Sequence, residues 1–81
     1  MTDHVVFHVL PGSEGWEVTK EGRKSRIASC PLKVEAIDRG RREVLKYSNG
    51  LLKIHDEHFI VHEELTSVAL AALVTGAGRN G

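Results

Sequence analysis

In 81 residues the chain has one cysteine, two prolines, one tryptophan, one tyrosine and two phenylalanines, and its 11 basic and 11 acidic side chains leave no net charge. Each scarcity excludes something. A lone Cys30 rules out an internal disulfide and a multi-cysteine zinc module, and it fits a reducing, cytoplasmic compartment. Balanced charge supplies no long-range field toward nucleic acid or an anionic membrane. No stretch approaches the ~20 apolar residues of a membrane span, and MTDHVVFHVL, broken by His4 and His8, has no cationic leader, so neither a membrane partner nor a signal peptide is expected. Glycine-rich phosphate loops, paired-carboxylate motifs and serine elbows are all missing, and Cys30 has no sequence-defined base partner. The expectation is a non-enzymatic domain without a cofactor.

What is present is the composition of a globular protein, 41% apolar and 27% charged. A chain this short buries only about 60% of its unfolded surface, so help from a partner is expected, and a homodimer is the simplest form of it. HVVFHVL alternates with period two, placing Val5, Phe7 and Val9 on one face and His4, Val6 and His8 on the other. After the turn PGSEG, WEVTKEG alternates again, with Trp16, Val18 and Lys20 opposite Glu17, Thr19 and Glu21. Two carboxylates cannot be buried unpaired, so the first set faces inward. Trp16, although it stands in GWEVTKEGRKSR among four cations, is therefore read as a core anchor rather than a base-stacking platform.

A helix should begin with Ser29 or Cys30 as cap and Pro31 in its first turn, and stop at Asn49 and Gly50. Leu32, Ala36, Ile37, Gly40, Val44 and Tyr47 form its inward face, and Gly40 signals a close approach to a strand. LLKIHD and FIVHEEL read as a second hairpin turning at Glu57 and His58, with Phe59 and Val61 on one side and His58, Ile60 and His62 on the other. The predicted fold is α+β, in the order β-β-α-β-β, an antiparallel sheet covered on one face by one helix. Residues 1–65 are expected to form this domain, residues 66–75 an apolar helix capped by Thr66 or Ser67, and residues 76–81 a flexible tail.

The pieces HVVFHV, GWEVTKEG, the helical Glu35, Ala36 and Ile37, and a Gly-led strand LLKIHD resemble the small bacterial family known as domain of unknown function twenty-one eighty-eight. The resemblance spans residues 4 to about 62 and implies a two-strand, helix, two-strand fold with no assigned activity. The chain departs from it at Gly40, where a helical Ala is expected, and in FIVHEEL and the uncharged segment after it, where a turn and a polar tail are expected.

Ser67 to Thr75 contains no charge, and Val68, Leu70, Leu73 and Val74 surround the axis, so a helix there must bury against something. The sheet face away from the long helix is expected to carry all five histidines with Val6, Leu10, Leu51, Lys53 and Ile60, and either the C-terminal segment or a second copy should cover it. The interaction face so defined is Val6, His8, His55, Ile60, His62, Leu70 and Leu73. His4, His8, His55 and His62 are weaker candidates for a transition metal. The reading that results is a self-associating protein-interaction module with room for a protein partner. Its rival is a nucleic-acid-binding domain using Lys20, Arg23, Lys24 and Arg26.

Overall fold

The period-two spacing of HVVFHVL is realised as strand β1, Val5–Gly12, in which Phe7 and Val9 are buried while Val6 and His8 point the other way. The structure is a computed structural model and describes residues 4–76. A two-residue turn at Ser13 and Glu14 leads into β2, Gly15–Lys20, which pairs antiparallel with β1 and buries Val18. Trp16 is half-buried and packs against the core, as an anchor should.

The next element was not expected. Ala28–Cys30 forms a short strand, β3, pairing Trp16 with Cys30 and Val18 with Ala28. Ser29 and Cys30 are therefore sheet residues and do not cap the helix. Helix α1 runs Lys33–Val44 with Leu32 at its N-cap and no side-chain cap bond, which leaves Pro31 outside it. The helix also stops earlier than Asn49 and Gly50. Its C-cap is Leu45, a turn follows, and Gly50 is already the first residue of β4, Gly50–His55. Gly50 stands there for space rather than for a left-handed stop. A β-carbon on it would lie 2.7 Å from the Val44 carbonyl oxygen and 2.8 Å from Val44 Cγ1.

Beyond a tight loop comes β5, Val61–Thr66, and then helix α2, Ser67–Gly76. Thr66 Oγ1 accepts a hydrogen bond from the Ala69 amide at 3.1 Å, the cap expected of it, and Ser67 Oγ accepts one from the Gly50 amide at 3.0 Å. The tail expected at 76–81 lies outside the described residues beyond Gly76.

The sheet has five strands in the order β3-β2-β1-β4-β5. It is mixed rather than antiparallel, because β1 and β4 run parallel, Val5 beside Gly50 through Val9 beside Ile54. A parallel neighbour must be reached by a crossover, and α1 belongs to that crossover. Ala36, Gly40 and Val44 seat α1 on Phe7, Val9, Val18, Leu52 and Ile54. Leu70 of α2, 4% exposed, joins the same cluster. Both helices therefore cover one face, and α2 does not fold over the opposite one as the sequence suggested.

Candidate functional site

With both helices on one side, the other side of the sheet is left without a cover among the described residues. Strand register sets its rows: Val6 beside Leu51 and Thr66, His8 between Thr19 and Lys53 with Glu64 beyond, and Leu10 beside Glu17. His8 and His55 meet here. His8 Nε2 lies 2.7 Å from Glu21 Oε2, His8 Nδ1 lies 2.9 Å from His55 Nε2, and His55 Nδ1 donates to the Phe59 carbonyl at 3.0 Å. The His8 side chain is 18% exposed and that of Glu21 55%.

The other histidines are elsewhere. His4 is exposed at the start of β1, and His58 is exposed in a loop, 3.8 Å from Glu57. A register shift between Ile54 and His55 disturbs the β4–β5 ladder, and His62 meets Lys33 at the start of α1, its Nε2 accepting from Lys33 Nζ at 2.8 Å. The same Lys33 Nζ stands 4.8 Å over the Trp16 ring. The five-histidine face thus reduces to one pair, and His4, His8, His55 and His62 do not converge. Among the described residues no group of three His, Cys, Asp or Glu side chains could hold a metal ion.

The β4–β5 loop is longer than Glu57 and His58. Asp56 Oδ1 accepts from the amides of His58 at 2.8 Å and Ile60 at 3.0 Å, the Phe59 amide donates to the Asp56 carbonyl, and the Asp56 amide donates to the Ile60 carbonyl. The amides of Ile60 and His58 hold the Asp56 carboxyl below its ordinary value. The loop puts Phe59 at φ 66°, the left-handed region that a bulky side chain seldom occupies. Phe59 is 59% exposed and Ile60 62%, so Phe59 does not face the core as its alternation predicted.

On the helical side lies a groove of about 470 Å³ lined by Leu45, Lys46, Tyr47, Ser48, Ser67, Val68 and Ala71. Its only charge is already engaged, since Lys46 Nζ sits 3.3 Å from Glu43 Oε1 while Arg39 holds Glu43 Oε2 at 3.1 Å. Burial raises the Glu43 carboxyl, but the hydrogen bonds and charges of Arg39 and Lys46 outweigh it and hold the group below its usual value. Beside the groove, Val68 is 71% exposed and Leu73 64%. The side chain of Val74 lies outside the described residues. The residues expected to share one interaction face are thus dispersed. Val6, His8 and His55 lie on the open sheet face, Ile60 in the loop, His62 at α1, Leu70 in the core and Leu73 on α2.

The basic residues also part company. Lys20 turns inward, its Nζ 3.4 Å from Tyr47 Oη and 5.2 Å from the centre of that ring. Arg26 reaches Glu17 at 3.5 Å, and Arg23 Nε donates to Ser25 Oγ at 3.4 Å. Lys24 is exposed between them. Three contacts that matter were absent from the sequence reading: Glu21 on His8, Lys33 on Trp16 and His62, and the groove of Leu45 and Tyr47. Only the charge-free run from Ser67 carried a signal for the last of these.

Among the described residues no helix is long and apolar enough to cross a membrane. No curated protein and no solved structure gives a significant match to the chain. A family profile does, and it takes in β2, β3, α1, β4, β5 and nearly all of β1: residues 7–67 match, and the chain belongs to the family described as uncharacterized protein conserved in bacteria (DUF2188).

Proposed function

We propose that the chain is a non-enzymatic, self-associating protein-interaction module whose contact surface is α2 with the groove beside it. The observation that carries this reading is a helix with no charged residue from Ser67 to Gly76, its Val68 and Leu73 about two-thirds exposed, bordering an apolar groove. A helix of that composition gains little from water and more from a surface as uncharged as itself. A second copy brings the same surface, and a two-fold arrangement lets Val68 and Leu73 of each protomer enter the groove of the other. An acidic or basic partner has nothing to pair with there, because Lys46 is held by Glu43. The non-enzymatic part rests on His8 and His55, whose four ring nitrogens are all taken up by internal contacts and leave none facing a substrate. Divergence of Lys20 and Arg26 to opposite sides of the sheet weighs against the nucleic-acid reading, which needs a continuous basic surface.

Sedimentation equilibrium at micromolar concentration tests the reading. A dimer is expected, and Leu73→Glu should shift it to monomer without changing the circular dichroism spectrum. A parent chain that is monomeric at every concentration sinks it.

A further inference from the structure

The contacts at His8 and His55 fix a proton count. A carboxylate and a carbonyl can only accept, so His8 Nε2, at 2.7 Å from Glu21, and His55 Nδ1, at 3.0 Å from the Phe59 oxygen, must both carry hydrogen. The central contact, His8 Nδ1 to His55 Nε2 at 2.9 Å, needs one more hydrogen on either of the facing nitrogens. That makes three protons on four ring nitrogens. Two neutral imidazoles supply two, so one of the three bonds is lost. Two imidazolium rings supply four, and N–H then faces N–H. We infer that His8 and His55 share a single extra proton, balanced by Glu21, and that this proton latches the Asp56–Ile60 loop to the sheet and so governs how Phe59 and Ile60 are presented.

The loop needs such a latch. A phenylalanine at φ 66° persists only where its surroundings over-determine it. Asp56 provides two of the restraints through the His58 and Ile60 amides, and His55 provides the one that ties the Phe59 carbonyl to β4. The neighbouring charges divide. Glu21 and Glu17 on the β2 side favour the extra proton. Lys53, in register beside His8, opposes it, and Lys53 is itself opposite Glu64 of β5. His8 otherwise faces Thr19 of β2 and His55 faces Val61 of β5, both uncharged, while in the loop Asp56 is occupied by amides and Glu57 and His58 stand against each other. His4 lies further down β1 and is exposed.

Rising pH removes the third proton, and falling pH adds the fourth. The latch is therefore strongest at intermediate pH, where the pair holds three protons and all three contacts are made. Nitrogen-15 NMR of the ring nitrogens in the full chain, with amide hydrogen exchange of Phe59 and Ile60 corrected for intrinsic rate, tests this. One N–H···N coupling between His8 and His55 is expected at intermediate pH and none at either extreme. Protection of the two amides, which donate to Asp56, should fall on both sides as His55 loses the His8 contact that braces it, by at most about fivefold to tenfold, the worth of one hydrogen bond. Glu21→Gln should weaken the coupling, and His58→Gln should leave it unchanged. Two rings that titrate independently, with no coupling at any pH, overturn the proposal, as does loop protection that ignores pH in the parent chain.

Discussion

Phe59 concentrates the tension between chain and fold. It is held in a left-handed conformation by four main-chain and side-chain hydrogen bonds around Asp56, yet its ring is more than half exposed and contributes little burial in return. Glycine adopts that conformation freely, so Phe59→Gly should raise stability by about 1 kcal/mol, whereas Phe59→Val should lower it by a similar amount. Equilibrium urea unfolding of the three proteins checks the order. A Phe59→Gly protein less stable than the parent means that the ring packs against something and the backbone is not strained. Nothing in FIVHEEL announces this, because alternation predicts only which way a strand residue points and assumes that the strand has begun. Asp56, which ends the strand by capturing two amides, was the usable sign. His8 facing away from Phe7 was legible from the same alternation, but its pairing with His55 was not, since it depends on which strand lies beside β1.

At the scale of elements, α1 approaches the sheet closely at Gly40, as it approaches the start of β4 at Gly50. A β-carbon on Gly40 would lie 2.9 Å from Leu52 Cδ1 and 3.2 Å from Val9 Cγ2, both on fully buried side chains. Gly40→Ala gains about 1 kcal/mol in helix propensity and meets an overpacking cost of about 1 to 3 kcal/mol, so a net loss of about 1 kcal/mol is expected. Gly40→Leu should prevent α1 from seating and lower the thermal midpoint far more. Calorimetry of both variants decides, and a clearly stabilised Gly40→Ala protein shows that Leu52 can yield. The mid-helix glycine was readable as a close approach because it costs stability and needs a reason. Helix and strand types were readable too, since Val5, Phe7 and Val9 or Ala36, Gly40 and Val44 repeat with distinct periods. Boundaries were not. Ser29, Cys30 and Pro31 look like a helix start, but three residues paired with β2 outweigh a local capping preference.

Over the whole molecule, the pattern of each element says nothing about which strands are neighbours or which face a helix chooses. That is why the parallel β1–β4 pair and the position of α2 beside α1 had to come from the structure. Equal numbers of acids and bases also hide a directional response to pH. Glu43, with its side chain 14% exposed between Arg39 and Lys46, and Asp56, holding the loop amides, both ionise more readily in the fold than their ordinary values of 4.5 and 3.8. A carboxyl whose folded value is depressed contributes stability that is complete above the unfolded value and is lost as pH falls through the folded one. The fold should therefore hold its stability as far as these two groups go down to about pH 4.5 and lose it below, as both carboxylates take up protons and the unneutralised lysines and arginines begin to repel. The urea midpoint should drop steeply between pH 5 and pH 3, and the combined Glu43→Gln and Asp56→Asn protein should start from a lower midpoint at pH 7 and fall less. If the double variant loses stability as steeply as the parent, the acid sensitivity resides in other carboxylates, and the Arg39–Glu43–Lys46 cluster and the Asp56 loop do not stabilise the fold through charge.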